Sequence, residues 1–539
     1  MTIRRRSAVV STLTVLVLGT GTSVAGAQSA AEQLVEPPPT LTWAPCGTTP
    51  EGTAAGVECA TADLPMDYDD PAAGRVQIAV SRVPADDPAT RVGSLFLNFG
   101  GPGGATNEIL QAVGDQLFPG LSARFDLIGF DARGTGQSTP AIDCRVDQET
   151  QGIYSVPVPT PLDIDVDAYV AKAQGYVDAC LANNGEILAH VSTANVARDM
   201  DMVRAGLGLE RLDYLGFSYG TFLGATYASL FPDRYRSMVL DGALDADQYV
   251  NDPISHIATQ TAAFELALAR FTEACAVDQV ACSGFGGTDP FLAYDRLVAA
   301  AETAPIPATG FAPDPRPVSG DEIRIATSSL LYAKQAWGLL GQALSQAAAG
   351  DGSLVRAVVD DTYGRQPDGT FSPGGDRYFT IGAAEQRYPQ GDLGVYLDRG
   401  AESWASFPHF WYNTGYAEIN YALWPVHDED AFAGPFDVPA SSPTPLVIGT
   451  TYDPATPYSG ALELVADLGN ARLLTMEGDG HTAYGGNSGC IDAATEAYLA
   501  AVTLPGEGTV CQQEVPFTAP QPVPADAGTA TERLLRPLP

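Results

Sequence analysis

The sequence predicts an α/β fold, in which a mostly parallel β-sheet is interrupted by a helical segment inserted between its two halves. Strand-length apolar runs alternate with helical patterns up to about residue 245, and the alternation resumes after about residue 436. Between those positions strand patterns are missing, and apolar residues recur at spacings of three and four. Alternating strands and helices are typical of a parallel sheet, and the helical segment is typical of a cap above it.

The chain of 539 residues is long enough for one large domain with an insertion, or for two or three ordinary domains. Its 65 acidic residues outnumber 28 lysines and arginines, so the formal net charge is −37. This excess of negative charge argues against binding to nucleic acid or to an anionic membrane surface.

The N-terminus has the features of a secretory signal peptide. A basic run at 4–6 precedes an apolar run at 8–18 and a small-residue cleavage site at 25–27. The apolar run is too short to span a bilayer, and no cysteine near the cleavage site could carry a lipid. We therefore expect a secreted chain without a membrane anchor.

The pattern divides the chain into five predicted segments. They are a signal peptide (1–27), the first part of the core (28–245), a helical cap (246–435), the second part of the core (436–515) and a Pro-rich tail without periodicity (516–539).

The eight cysteines are even in number, which in a secreted chain suggests disulfide bonds. The sequence does not fix their connectivity, but neighbouring spacings favour four local pairs: Cys46–Cys59, Cys144–Cys180, Cys275–Cys282 and Cys490–Cys511. No Cys-x-x-Cys occurs and the cysteines do not cluster with histidines, so we expect no zinc site.

Three strands are predicted near the start of the core. Residues 75–83 alternate between apolar and polar, whereas 94–99 and 124–130 are apolar runs typical of buried strands. The run at 94–99 leads directly into the glycine-rich stretch 100–104. So many glycines after a strand indicate backbone that must approach another group closely.

Charged residues near these strands are predicted to have structural rather than catalytic roles. Asp131 and Arg133 follow the strand at 124–130, and we predict that they brace their loop through a local ion pair. Segment 192–207 is predicted to be an amphipathic helix whose outward face carries three charged residues, Asp199, Asp201 and Arg204.

The stretch 212–224 is the centre of the predicted site. An apolar strand pattern is followed by Gly-Phe-Ser-Tyr-Gly and then by a helix rich in small residues, and a further strand at 237–242 completes a β-α-β unit. A serine nucleophile at a tight strand-to-helix turn needs neighbours without side chains, which Gly216 and Gly220 provide. We therefore predict that Ser218 is a nucleophile rather than a surface serine.

The inserted segment is predicted to contain helices at 256–275, 290–303 and 321–349, with Ser319 at the start of the third. Aromatic residues crowd into 378–424, and we expect most of them to form the core of this segment.

The second half of the core supplies the partners of Ser218. Asp453 follows a strand at 444–450, and His481 follows the next strand, at 471–476, in a glycine-rich loop. Of the five histidines, His481 is the one that follows a strand. A neutral imidazole can accept the serine proton, and a carboxylate on its other nitrogen fixes the tautomer. We predict a catalytic triad of Ser218, His481 and Asp453.

Several stretches together resemble the secreted tripeptidyl-aminopeptidase-like branch of the prolyl-aminopeptidase serine peptidases, within the α/β-hydrolases. The stretches are 98–104, 129–134, 216–221, 239–242, 453–457, 480–481 and the closing segment 490–511. The chain order Ser, Asp, His is also that of the α/β-hydrolases. The resemblance covers both halves of the core, whereas the cap matches poorly.

The resemblance implies an α/β-hydrolase fold with a helical cap and a serine peptidase that releases short, tripeptide-type peptides from free N-termini. The oxyanion would lie between the N–H of Tyr219 and a backbone N–H of the glycine loop, which we predict to be that of Gly100. This chemistry requires no metal and no cofactor. A peptide substrate is the expected ligand, and the oligomeric state is left open.

Two features of the cap bear on substrate preference. An aminopeptidase needs a carboxylate for the α-ammonium group, and Glu385 matches an acid of the family pattern, so we predict a substrate-binding role for it, against the alternative of a surface glutamate. The family pattern also has a cap disulfide where this sequence has Ala383 and Tyr421. That pair is absent here, which leaves the side-chain preference open.

Two other functions stay open. A carboxylesterase or lipase could use the same triad, and a non-catalytic secreted binding protein could retain the scaffold. A haloalkane dehalogenase or epoxide hydrolase is disfavoured because those enzymes need an aspartate at the position of Ser218. The intact triad and glycine loop favour an enzyme over a binding protein.

Overall fold

The computed structural model describes residues 36–47 and 53–519. The predicted signal peptide, 1–27, lies outside the described residues, and so does the predicted tail from residue 520 onward. The described start of that tail contacts the body of the protein, because the ring of Phe517 packs edge-on against Trp337 with centroids 6.2 Å apart.

Ten strands of the described chain form one sheet. In chain order they are β1 (Ala44–Pro45), β2 (Glu58–Pro65), β3 (Arg75–Val83), β4 (Gly93–Asn98), β5 (Phe125–Phe130), β6 (Leu212–Phe217), β7 (Tyr235–Asp241), β8 (Leu446–Tyr452), β9 (Arg472–Asp479) and β10 (Val510–Gln512). Their order across the sheet is β1-β2-β3-β5-β4-β6-β7-β8-β9-β10. The pairings of β1 with β2, β2 with β3 and β3 with β5 are antiparallel, and the others are parallel. The mostly parallel sheet predicted from the sequence is confirmed.

Strand β6 lies in the middle of the sheet between β4 and β7, and all six of its residues are buried. The register places Asn98 opposite Gly216 and Phe217 opposite Asp241. Because parallel strands end at the same edge of a sheet, the residues that follow these three strands lie close together. This edge carries the glycine-rich stretch, Ser218 and Gly242.

Sixteen α-helices lie in the described chain. They are α1 (Thr106–Val113), α2 (Pro119–Ser122), α3 (Val166–Asn184), α4 (Thr193–Gly206), α5 (Tyr219–Leu230), α6 (Ala246–Asn251), α7 (Pro253–Val277), α8 (Pro290–Thr303), α9 (Gly320–Leu331), α10 (Trp337–Ala348), α11 (Ser353–Thr362), α12 (Gly374–Glu385), α13 (Leu393–Ser406), α14 (Ile419–Leu423), α15 (Tyr458–Leu468) and α16 (Gly489–Ala501). Within the described ranges, none of them combines the length and apolar character that a bilayer-crossing helix needs.

Helices α6 to α14, which we call the cap, lie in the chain between the neighbouring strands β7 and β8. They have their own apolar core, which includes Phe271, Trp337, Phe410, Trp411 and Tyr416. Of the aromatic residues at 378–424 that are expected to form a core, Phe410, Trp411 and Tyr416 belong to this one.

One predicted cap helix is divided in the structure. The sequence predicts a continuous helix at 321–349, but α9 ends at Leu331 and α10 begins at Trp337. Ser319 and Glu322 form a capping box at the start of α9, as the pattern indicates. The chain leaves the helix at Ala333, whose φ of −124° and ψ of 126° are extended. This break turns the carbonyl of Tyr332 out of the helix and towards the loop that carries His481.

Helix α4 differs from the prediction in the direction of its charged side chains. Asp199, Asp201 and Arg204 are 0%, 1% and 8% exposed, so the prediction that they face outward is wrong. The helix is covered on more than one side, and each charge meets a partner inside. Arg204 Nε donates to Asp201 Oδ1 over 2.7 Å, and Tyr227 of the neighbouring helix α5 donates to the same oxygen over 3.0 Å.

The prediction of an ion pair between Asp131 and Arg133 is also wrong. The guanidinium of Arg133 makes two hydrogen bonds, of 2.7 and 2.8 Å, to the carboxylate of Asp199, and both side chains are fully buried. The carboxylate of Asp131 instead accepts from the N–H groups of Asn107 and Gln137. Asp131 and Arg133 therefore bind different partners, because Asp199 lies on helix α4, which is distant from Arg133 in sequence but close to it in the fold.

The four disulfides predicted from local spacing are all formed: Cys46–Cys59, Cys144–Cys180, Cys275–Cys282 and Cys490–Cys511. They account for every cysteine, because all eight lie within the described residues.

Candidate active site

Ser218 occupies the turn between β6 and α5. Its φ of 56° and ψ of −127° lie in a region that residues other than glycine rarely adopt. Its N–H donates to the carbonyl of Asp241 over 2.9 Å, and its own carbonyl accepts from the N–H of Thr221 over 2.8 Å. The turn is therefore held by both β7 and α5, at the carboxyl edge of the sheet.

Contact distances around this turn require glycine at three positions. A Cβ on Gly216 would lie 2.5 Å from the carbonyl oxygen of Gly220, and one on Gly220 would lie 2.9 Å from that of Asn98. A Cβ on Gly100 would lie 2.7 Å from the Cβ of Ser218 itself. A side chain at any of these positions would therefore displace the serine or the glycine-rich stretch.

Asp453 and His481 form a hydrogen-bonded pair just beyond the ends of β8 and β9. His481 Nδ1 lies 2.9 Å from Oδ2 and 3.0 Å from Oδ1 of Asp453. The carboxylate, which is 2% exposed, also accepts from the N–H groups of Ala455 and Thr456, each over 2.8 Å. These bonds fix its orientation, so the proton of a neutral imidazole belongs on Nδ1 and Nε2 is left as an acceptor.

The imidazole of His481 lies beside the turn of Ser218. His481 Cε1 is 3.2 Å from the position that a Cβ on Gly242 would take, and Gly242 follows Asp241, whose carbonyl accepts from Ser218. His481 Nε2 is buried and makes no hydrogen bond with any described residue, so it is not bonded to Ser218 Oγ in this structure. Such a bond is often long or misaligned before substrate binds.

The environment of His481 favours its protonated form. Burial disfavours the charge, but the carboxylate of Asp453 outweighs burial through its charge and its hydrogen bond, so the pKa of His481 is raised above the ordinary value of 6.5. The pair can thus accept a proton on Nε2 and stabilise the resulting imidazolium.

The cap holds the loop that carries His481. The N–H of His481 donates to the carbonyl of Tyr332 over 2.6 Å, and the two rings pack edge-on with centroids 5.4 Å apart. Asp479, two residues earlier, pairs with Lys334 at 2.9 Å and with Arg270 of α7. The sequence carried no signal for the Tyr332 contact, because it depends on the break between α9 and α10.

Asp241 holds the same loop from the core. Its fully buried carboxylate accepts from the N–H groups of Ala483, over 3.0 and 3.1 Å, and of Tyr484, over 2.7 Å. Burial raises its pKa to about 7 in spite of these bonds. The sequence pattern indicates no role for Asp241, although it lies in the stretch 239–242. We class it as a positioning residue because it contacts the loop and not the reacting groups.

The structure changes the assignment of one oxyanion donor. The N–H of Tyr219 is the first of helix α5 and therefore has no acceptor within the helix. The N–H of Gly100, which is predicted to be the second donor, donates to Asn98 Oδ1 over 3.0 Å. The N–H of Gly101 makes no hydrogen bond with the described residues, and Gly101 lines the same cavity as Tyr219 and Ser218.

A cavity of about 650 Å³ opens over Ser218, between the sheet edge and the cap. Its walls are mainly neutral, and aromatic side chains form much of them: Tyr154, Tyr219, Tyr249, Phe264, Tyr332, Tyr363, Tyr378 and Tyr412. His256 also lines it, and burial lowers the pKa of that histidine to about 4, so its imidazole is neutral at physiological pH.

Glu385, for which a substrate-binding role is predicted, is not among the residues that line this cavity. It is buried, not a surface residue, and its carboxylate accepts from the N–H and the hydroxyl of Thr193 over 2.8 and 2.9 Å and from Tyr249 over 3.3 Å. The hydroxyl of Thr193 also bonds to that of Tyr219. Glu385 therefore contacts Tyr249 directly and Tyr219 through Thr193, and both tyrosines line the cavity.

Two family models match the chain. One, described as alpha/beta hydrolase fold, matches residues 95–279, and the other, described as TAP-like protein, matches residues 410–511. The first range contains Ser218, and the second contains Asp453 and His481.

Curated relatives match most of the chain. Serine protease Hip1 of Mycobacterium tuberculosis is 33% identical over 480 residues, which cover 87% of this chain and 90% of that protein. Carboxylesterase B of the same organism is 34% identical over 462 residues, or 84% and 86% of the two chains. Tripeptidyl aminopeptidase of Streptomyces lividans is 30% identical over 483 residues, or 86% and 85%.

Because Glu385 is buried, replacing its carboxyl group should change how the free energy of unfolding depends on pH. Burial, aided by the charge of Asp428, raises its pKa from 4.5 to about 8. Between these values the folded protein holds a proton that the unfolded chain releases, so this group makes stability fall as pH rises. In Glu385→Gln, the free energy of unfolding should decline less steeply from pH 5 to 8, by up to about 1.4 kcal/mol per pH unit.

Denaturant unfolding at several pH values measures this slope. Glu402→Gln, an exposed position on α13, is the control for removing one negative charge. Equal slopes for Glu385→Gln and the wild type would contradict a protonated, buried Glu385.

Proposed function

The chain belongs to the α/β-hydrolases with a TAP-like C-terminal region, and from this premise we propose that it is an exported serine peptidase that removes short peptides from free N-termini. The observation that carries the proposal is the hydrogen-bonded pair of Asp453 and His481 beside the strained turn of Ser218. These three residues are the proposed triad, and their chain order is that of the family.

In the acylation step, Ser218 Oγ attacks the carbonyl carbon of the scissile bond. Its proton passes to His481 Nε2, whose position beside the turn and lack of a partner among the described residues support this role. The carboxylate of Asp453 stabilises the imidazolium through Nδ1–H. The imidazolium then gives the proton to the departing amine, and the acyl group stays on Ser218.

The negative charge that develops on the carbonyl oxygen needs two donors. We assign them to the N–H groups of Tyr219 and Gly101, since the N–H of Gly100 is occupied by Asn98. Deacylation repeats the sequence with water as the nucleophile and His481 as its base. Every step uses groups of this chain and water.

Cleavage near a chain end is supported by the position of the cap. The cavity over Ser218 has a volume typical of sites for small ligands, about 300–1,000 Å³, and helices close around it. A short peptide end fits such a space, whereas the middle of a folded chain does not. The named activity of the Streptomyces relative, tripeptidyl aminopeptidase, is of this kind.

Export is supported by two features. The predicted signal peptide precedes the described chain, and all eight cysteines form disulfides, which persist in oxidising compartments.

An esterase is the second candidate function, because one relative with 34% identity is named carboxylesterase B. The same triad and oxyanion donors could hydrolyse an amide or an ester bond, so the preferred substrate distinguishes the two functions. A panel of aminoacyl-, dipeptidyl- and tripeptidyl-nitroanilides assayed beside nitrophenyl esters separates the two, and a peptidase should turn over the peptidyl series with higher kcat/KM.

Replacing the proposed nucleophile should abolish turnover of every substrate in the panel. We expect Ser218→Ala to lower kcat by about 10⁶-fold, as is typical when a triad nucleophile is removed. Ser329→Ala is the matched control, because Ser329 lines the same cavity and should leave the rate within a few-fold. A folded Ser218→Ala variant that kept more than a small fraction of activity would contradict the assignment.

The pH dependence of kcat/KM should follow the ionisation of His481. The reaction needs neutral Nε2, so kcat/KM should rise with pH through a midpoint above 6.5, because Asp453 raises that pKa. His256 is already neutral in this range. In Asp453→Asn the midpoint should move to lower pH and the rate should fall by about 10⁴-fold. An unchanged midpoint would exclude the Asp453–His481 coupling.

A further inference from the structure

The cavity over Ser218 contains one charged group. Of the residues that line it, all of them described, Asp361 is the only carboxylate, and no lysine or arginine is among them. Asp361 is near the end of α11, in the cap. A peptide that enters this neutral, largely aromatic space therefore meets a single negative charge.

The carboxylate of Asp361 is unpaired within the part of the chain that the structure describes. It accepts no hydrogen bond and forms no ion pair within the described ranges, whereas its neighbour Asp360 is buried and pairs with Arg365 at 3.2 Å. Asp361 is an exposed residue that lines the cavity, and partial desolvation by the neighbouring walls raises the pKa of its carboxyl group to about 6. It is therefore ionised at neutral pH and unpaired.

A continuous wall connects the neighbourhood of Asp361 to the oxyanion side of the site. Tyr363, two residues on, donates its hydroxyl to the carbonyl of Tyr154 over 3.0 Å, and the rings of Tyr154 and Tyr378 lie 6.5 Å apart. The N–H nitrogen of Tyr378 is 3.2 Å from the position that a Cβ on Gly103 would take. Contacts through Tyr363, Tyr154 and Tyr378 thus connect the neighbourhood of the acid with the glycine-rich stretch.

We propose that Asp361 binds a cationic group of the substrate and so selects peptides by the position of that charge relative to Ser218. This inference rests on the proposed peptidase function. The cation is an organic ammonium or guanidinium group, either the α-ammonium of the substrate or a Lys or Arg side chain. Tyrosine faces in the same wall add favourable contacts for such a cation. A metal ion would need further oxygen ligands, and no second carboxylate lines the cavity.

The test compares Asp361→Asn with the wild type on four substrates: trialanyl-nitroanilide with a free or an acetylated N-terminus, and acetylated analogues with lysine or arginine in the second position. We expect the variant to lose about 10- to 100-fold in kcat/KM, mainly through KM, on the substrate whose cation Asp361 binds. The acetylated trialanyl substrate should be unaffected. Asp398→Asn, an exposed acid of α13 that does not line the cavity, is the control.

The substrates identify the source of the cation. A loss confined to the free N-terminus assigns the α-ammonium, and a loss confined to the lysine or arginine substrates assigns a side chain. Both outcomes support the proposal. Equal losses on all four substrates, or none on any, would overturn it.

A second measurement keeps the test independent of peptide cleavage. Trialanine amide, its N-acetyl form and acetyl-lysine amide are compared as protectants of Ser218 against a neutral fluorophosphonate. A cationic ligand should protect the wild type more strongly than the neutral one, and Asp361→Asn should lose the difference. If peptides are not cleaved but this difference is seen, the peptidase proposal fails and the cation site stands. The absence of any difference in the wild type would overturn the cation site.

Discussion

The backbone conformation of Ser218 constrains the residues and strands around it. A positive φ at a non-glycine residue is unfavourable, and it persists here because bonds from Asp241 and Thr221 hold the turn. The same turn leaves no room for a side chain at Gly100 or Gly216. The central position of β6 follows from this geometry, since the glycine-rich stretch after β4 and the end of β7 must both lie beside the serine.

The cap has a structural role in addition to covering the cavity. The carbonyl of Tyr332 accepts from the backbone of His481, and Lys334 pairs with Asp479 in the same loop. From the opposite side, Asp241 binds the two N–H groups that follow Thr482. The histidine is therefore fixed by the core and the cap together, so changes in cap packing are transmitted to the imidazole as well as to the shape of the cavity.

The sequence predicts the sheet from its apolar strand patterns. It predicts the three proposed catalytic residues because a serine, an aspartate and a histidine each directly follow one of those patterns. It fails where a partner is distant in the chain. Asp199 is predicted to face water, yet its partner Arg133 lies 66 positions away. Glu385 is predicted to face substrate, yet it bonds to Thr193, 192 positions away. For the oxyanion donors the limit is local, since a glycine-rich pattern does not show that the N–H of Gly100 is bonded to Asn98.

The central claim is that Ser218 is made nucleophilic by His481 beneath the cap. Peptide mapping by mass spectrometry after treatment with a fluorophosphonate tests it most directly, because the mass shift identifies the modified residue. The account predicts one adduct, on the peptide containing Ser218, and a strongly reduced rate of its formation in a folded His481→Ala variant. An adduct on a different serine, or an unchanged rate in that variant, would contradict the account.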